Sequence, residues 1–234
     1  PFKADSLNFI VSNASIIDTV TVRLRKKKID SLILSSSIGR TLHFRDTFFI
    51  KGNNPFVKID TNKITFTDKD TLAIKYSSFI SSKENKVGFL FEKKPEQNYS
   101  LKMLPSAITD IFEQQNDTLN YNFSTKEIED YGRITLSVIN PNSENIIIEL
   151  VENKKNQLLI ERRFISKSET LIYDLLQPKK YIIRAIIDSN KNNKWDTGNY
   201  LNRTAPEKVI YYPATFTIRS NWHIPSETFT IKER

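Results

Sequence analysis

Short strand-like segments return about every 8–15 residues, each closed by turn-forming residues, and this rhythm restricts the fold more than any other feature of the chain. Leu7–Val11 and Thr19–Leu24 read as a strand pair. Thr41–Ile50 reads as a strand closed by Lys51-Gly52-Asn53-Asn54-Pro55. Val57–Ile59 and Ile64–Phe66 flank Asp60-Thr61-Asn62, and Leu72–Tyr76, Val87–Phe91, Tyr99–Leu104 and Leu119–Phe123 follow. Pro105 has no N–H to give to a ladder, so it ends the strand before it. Ala107–Phe112 reads as one short helical turn.

Past a polar stretch at Ser124–Tyr131 the pattern restarts. Ile134, Leu136 and Val138 alternate onto one face, and Asn140-Pro141-Asn142 is a turn signal. Ile146–Val151, Leu158–Phe164, Thr170–Leu175, Lys208–Tyr212, Thr215–Arg219 and Thr228–Ile231 are further strands. Tyr181–Ile187 is apolar at almost every position, as in a central strand covered on both faces. β-branched and aromatic residues in short runs favour strands over helices. The expected class is all-β, with two consecutive β-sandwich domains, at 37–126 and 127–234. Residues 1–36 fit the end of a preceding domain or a set of N-terminal strands.

The chain has 234 residues and a formal net charge of +8, which suits an anionic partner. Basic residues are, however, interleaved with acids along the chain. The one dense run is Arg23, Arg25, Lys26, Lys27 and Lys28, which reads as a solvated strand end or linker. No RNA-binding aromatic signature or helix-turn-helix pattern accompanies it, so nucleic acid is not an expected partner. Cysteine is absent, which excludes disulfides, thiolate metal sites and a cysteine nucleophile. That absence fits a cytosolic protein and an exported one equally. No run of 18 apolar residues is present. The sequence begins at Pro1 with no visible signal peptide, as a processed or truncated product would.

One loop carries candidate ligand chemistry. Asp188, Asn190, Asn192 and Asp196 fall at positions 1, 3, 5 and 9, and Lys194 supplies a backbone carbonyl at position 7. Alternate side-chain oxygens in a tight loop converge on one point, which is how EF-hand-like loops collect oxygen ligands for Ca²⁺. Position 6 is Asn193 rather than Gly, and position 12 is Asn199 rather than a bidentate Glu. The alternative is an Asx-turn-rich loop in which these oxygens bond local backbone amides. Trp195 and Tyr200 flank the loop, either as a stacking platform or as a core plug beneath it. The same two readings apply to Trp222, Tyr211 and Tyr212.

Other catalytic signatures are missing. His43 and His223 are the only histidines, and G-x-S-x-G, G-x-G-x-x-G and G-x-x-x-x-G-K-[ST] do not occur. No pair of carboxylates stands out, although such pairs form in space rather than in sequence. A non-enzyme is expected.

Two stretches carry a family resemblance. Tyr99-Ser-Leu-Lys-Met-Leu-Pro105-Ser-Ala-Ile-Thr-Asp110-Ile-Phe, with Asn116-Asp-Thr-Leu-Asn-Tyr-Asn-Phe-Ser-Thr125, resembles the closing half of a bacterial Ig-like domain. That family usually carries Gly after the Phe, where Glu113 stands here. Tyr181–Pro213, with Asp188-Ser-Asn-Lys-Asn-Asn-Lys-Trp-Asp196-Thr-Gly-Asn-Tyr200 and Pro206-Glu-Lys-Val-Ile-Tyr-Tyr-Pro213, resembles the C-terminal module of Bacteroidota Ig-like-domain surface lipoproteins. The resemblance implies an outer-membrane, cell-surface protein, lipid-anchored through a cysteine outside this stretch, with structural or binding work and no activity. A subunit of an outer-membrane protein assembly is the expectation. A carbohydrate- or peptide-binding module is one alternative. An enzyme accessory domain is another, because Leu176-Gln-Pro-Lys-Lys-Tyr181 is similar to a motif of transthyretin-like peptidase domains, with Lys179 in place of its Gly.

Overall fold

Strand follows strand through the computed structural model, which describes residues 5–13, 16–24 and 30–231. Arg25 to Lys28 of the basic run lie outside the described residues. The chain divides into two compact units, 1–125 and 126–234.

Unit 1 holds β1 (Ser6–Ser12), β2 (Ile17–Arg23), β3 (Leu34–Ser36), β4 (Phe48–Gly52), β5 (Phe56–Ile59) and β6 (Ile64–Asp68). β7 (Tyr76–Ser81), β8 (Lys86–Phe91), β9 (Asn98–Met103), β10 (Ile108–Asp110) and β11 (Leu119–Ser124) complete it. One sheet runs β3-β4-β8-β7 and the other β11-β9-β6, with β5 and β10 as a separate pair. The two sheets share one core, built largely from rings. Phe48 of β4 stacks on Phe123 of β11 with centroids 4.8 Å apart, and Phe66 of β6 meets Phe91 of β8 edge-on at 4.7 Å. Gly88 lies on the opposite face of β8 from this layer, where a Cβ would lie 2.5 Å from the Phe79 ring and 2.8 Å from Phe49.

β1 and β2 form an antiparallel ribbon of their own. The register pairs Leu7 with Val22, Phe9 with Val20 and Val11 with Asp18, so five apolar side chains share one face. On the other face Asn8 opposes Thr21, whose hydroxyl donates to the Asn8 carboxamide oxygen at 2.8 Å. Every residue of both strands is exposed.

Unit 2 holds β12 (Gly132–Ile139), β13 (Ile146–Glu152), β14 (Leu159–Ile165), β15 (Glu169–Leu176) and β16 (Lys180–Ile187). β17 (Val209–Tyr211), β18 (Phe216–Thr217) and β19 (His223–Thr230) follow. One sheet runs β15-β12-β19 and the other β14-β13-β16-β17, with β18 pairing on the start of β16. The predicted alternation of Ile134, Leu136 and Val138 is realised, all three being buried against Ile146, Ile148, Leu150, Ile183 and Ala185 of the facing sheet. The chain is therefore all-β, with two consecutive sandwiches.

Several local expectations are corrected. Ala107–Phe112 is not a helical turn: Ile108–Asp110 is β10, antiparallel to β5. Tertiary pairing overrides local preference there, because the Ile108 N–H is taken by the Asn116 carboxamide oxygen at 2.7 Å. Of Thr41–Ile50, only Phe48 onward joins a ladder, and Thr41 makes a lone parallel bridge to Ser124. Leu72 to Lys75 precede β7, and the Ala73 backbone bridges back to Thr67. β16 is central as expected, yet the strand buried at every position is its neighbour β13.

One turn type recurs at strand ends. Asp68 Oδ1 accepts the N–H groups of Asp70 and Leu72, both at 3.0 Å, and Asp110 Oδ1 accepts those of Phe112 and Gln114 at 2.9 and 2.8 Å. The fourth residue is left-handed in each, with Thr71 at φ +59° and Glu113 at φ +64°. Asn140 repeats the device in unit 2, accepting from Glu144, with Ser143 at φ +51°. Glu113 thus occupies the conformation that glycine tolerates best.

Candidate functional site

The Asp188–Asp196 loop leaves the end of β16 with Asp188 buried. Its Oδ1 accepts the Asn192 N–H at 3.0 Å and its Oδ2 the Asn193 N–H at 2.9 Å. Asn190 Oδ1 accepts the Asn192 N–H at 3.1 Å, and Asn192 Oδ1 accepts the Lys194 N–H at 2.8 Å. The amide nitrogens of Asn190 and Asn192 both donate to Asp196 Oδ2, at 2.5 and 2.7 Å. Asn193 takes the left-handed conformation expected of position 6, at φ +61°. The four side chains are therefore brought together by hydrogen bonds of the loop's own making.

Glu207 escaped the sequence reading. Its Oε1 accepts the Ser189 N–H at 2.9 Å and its Oε2 the Asp196 N–H at 3.2 Å. Its carbonyl accepts the Trp195 indole N–H at 3.0 Å. It lies eleven residues beyond Asp196, outside any loop-spacing template. Asn199, at position 12, instead serves its own turn, accepting from Asn202 and bridging Thr204. The oxygen-rich donor set suits a hard cation. An ion beside Asp196 would have to displace the two carboxamide hydrogen bonds already there. Among the described residues, no group of three or more His, Asp or Glu side chains converges as a metal cage.

A second constellation lies on the outer face of the β14-β13-β16-β17 sheet. Glu149 stands opposite Arg162 on one side and Arg184 on the other, and Arg184 opposes Tyr211. One row therefore runs Arg162–Glu149–Arg184–Tyr211 across four strands. Glu149 is buried; its Oε1 takes Nε and Nη2 of Arg162 at 2.9 and 2.5 Å. Its Oε2 takes Nε and Nη2 of Arg184 at 2.7 and 2.6 Å, and Arg184 Nη1 donates to Gln157 at 3.1 Å. Burial disfavours the Arg184 charge, but the Tyr211 hydroxyl and Glu149 outweigh it and hold the guanidinium pKa above its ordinary value. Lys194 and Trp195, from the loop, wall a cavity of about 490 Å³ over this row. A lone Glu in the apolar Ile146–Val151 run and a lone Arg in Tyr181–Ile187 were the sequence signals for it.

The aromatic residues divide. Tyr200 is 96% exposed and Trp195 47%, so neither is a core plug beneath the loop. Tyr212 does pack inward, on Phe216 and Phe229, with its hydroxyl 2.9 Å from Glu227. Trp222 is half-exposed with Arg219 over its ring. His43 belongs to unit 1, and His223 opens β19 in unit 2.

No family model matches the chain, and no curated protein matches it. Among solved structures, native alpha-2-macroglobulin from Escherichia coli, spanning domains MG0-NIE-MG1, is similar over 77% of this chain and 71% of its own, at 10% identity and TM-score 0.36. BcpA, the major pilin subunit of Bacillus cereus, is similar over 97% of this chain and 77% of its own, at 9% identity and TM-score 0.26. The Group B Streptococcus pullulanase SAP is similar over 77% of this chain and 27% of its own, at 10% identity and TM-score 0.22. Likeness at this level assigns neither a family nor an activity.

Proposed function

We propose that this chain is a non-catalytic structural and interaction module, displayed at a bacterial cell surface as one subunit of an outer-membrane protein assembly. The β1–β2 ribbon carries the reading. A two-stranded ribbon is marginal in water by itself. This one presents Leu7, Phe9, Val11, Val20 and Val22 on one exposed face. Covering that face removes enough apolar surface to contribute several kcal/mol to association. Another outer-membrane or cell-surface protein is the partner the reading implies. The outer-membrane placement, through a lipid anchor outside this stretch, is supported by the resemblance carried by Tyr181–Pro213.

The test uses the native full-length protein. Phe9→Lys with Val20→Lys should strip the co-purifying partner, identified by mass spectrometry, without lowering the Tm of either sandwich. An unchanged partner set would end the reading. Recovery of the native protein in the cytosolic fraction would end the outer-membrane part of it.

A further inference from the structure

We propose that the cleft on the outer face of unit 2 binds a carboxylated sugar ring. Arg162, Arg184 and Lys194 would meet the carboxylate, with Trp195 and Tyr211 against the ring. The inference is independent of the β1–β2 ribbon.

Charge is the first argument. Three cationic side chains line the cleft with one carboxylate, Glu149, and that carboxylate is fully engaged by both guanidiniums. A ligand anion therefore meets an excess of positive charge at a place where the row is already fixed. Each guanidinium offers five N–H donors. Arg162 directs Nε and Nη2 at Glu149, and its Nη1 makes no hydrogen bond among the described residues. Planar forks of this kind match carboxylates in two-point geometry. Glu149 acts as a positioning residue, holding both forks in one orientation without touching the ligand.

The walls are the second argument. Trp195 and Tyr211 are each about half exposed. Tyr211 stands beside Arg184 in the sheet register. Trp195 is pinned by its indole N–H to the Glu207 carbonyl, so its ring does not have to be ordered on binding. Half-exposed rings fixed beside a polar floor suit a pyranose, which has an apolar face and polar edges. A cavity of about 490 Å³ falls within the usual size of small-ligand sites.

The floor favours a sugar acid over an extended acidic peptide. Glu149 and Arg184 stand on β13 and β16, whose backbones are paired on both sides. These two floor strands give a peptide no main-chain hydrogen bonds, and the free edges of the sheet lie to either side, at β14 and β17.

Titrations of the intact chain, followed by Trp fluorescence and calorimetry, test the proposal. The probes are trigalacturonate, maltotriose, pentaglutamate and sodium sulfate. Trigalacturonate should bind, and its affinity should fall several-fold between 50 and 300 mM NaCl, as a partly exposed charge contact requires. Maltotriose should not bind. Trp195→Ala should lower trigalacturonate affinity by roughly tenfold, the loss of one stacked ring. Lys194→Ala, at an exposed position chosen to leave folding intact, should lower it by a few-fold. Equal binding of pentaglutamate or sulfate would overturn the sugar assignment. No trigalacturonate binding, or affinity unchanged in both folded variants, would overturn the site.

Discussion

Both sandwiches close turns with a buried Asp or Asn, but among the described residues only unit 2 also holds a buried carboxylate with cations from neighbouring strands. In unit 1, Asp68 and Asp110 end β6 and β10 and accept backbone N–H groups of their own turns, while Asn116, in the loop before β11, ties the Ile108 N–H and the Leu104 carbonyl. In unit 2, Glu149 lies in the middle of β13 and is engaged by Arg162 and Arg184 of the neighbouring strands, while Glu152, the last residue of β13, is met by Lys154 and Lys179. The first arrangement closes turns and exposes little chemistry. The Glu149 cluster draws charged side chains together on the outer sheet face, where the cavity of about 490 Å³ lies. A carboxylate held by backbone amides fixes the path of the chain, whereas Glu149 fixes the orientation of two guanidinium groups at the surface.

The core difference gives the largest expected effect. Unit 1 packs rings around Phe48, which touches Phe89, Tyr121 and Phe123. Phe48→Ala should cost about 3–5 kcal/mol. Hydrogen exchange should show lost protection in β4, β8 and β11, with β12–β16 unchanged.

Next come the buried carboxylates. Asp110→Ala removes the acceptor for two backbone amides and the Asn54 side chain, in a fully buried site. It should lower stability by about 2–3 kcal/mol, measured by urea denaturation. Glu149→Ala should cost less, about 1–2 kcal/mol, because Arg162 and Arg184 reach solvent and can rehydrate. A larger loss for Glu149 would reverse the comparison. Asp188→Ala should cost about 1 kcal/mol or more by releasing two loop amides. A rise in Tm on adding Ca²⁺, abolished by Asp188→Ala, would show that the loop also takes an ion.

Acid should discriminate too. Burial raises the Glu152 pKa, but hydrogen bonds and charge from Lys154 and Lys179 outweigh this and set it below the ordinary carboxylate value. A lowered folded pKa means stability present above the unfolded value of about 4.5 and lost as pH falls through the folded one. Glu152→Gln should flatten that acid limb in a plot of unit 2 Tm against pH. The smallest effect is a gain: Glu113→Gly relieves a left-handed residue and should stabilise unit 1 by about 0.5–1 kcal/mol.

The strands of both units were legible because side-chain alternation and turn residues are local signals. Pairing was not. β5 and β6 flank Asp60-Thr61-Asn62 as a hairpin would, yet β5 pairs with β10 and β6 with β9. The loop oxygens at Asp188, Asn190, Asn192 and Asp196 were visible from their spacing. Glu207 was invisible because a hairpin-scale excursion separates it from the loop it ties. The Arg162–Glu149–Arg184 row depends on the registers of three strands, which sequence periodicity alone does not set.

The pairing of β12 with β19 is parallel, from Arg133 opposite His223 to Ile139 opposite Thr230. The first and last strands of unit 2 thus run side by side in the same direction. Tension applied through the two ends of the unit pulls them past each other, loading their hydrogen bonds in shear so that they share the force. Strands peeled apart from one end would yield one bond at a time. The linkage that joins the unit's beginning to its end is thus built to bear load, and single-molecule stretching should register it as a distinct force peak.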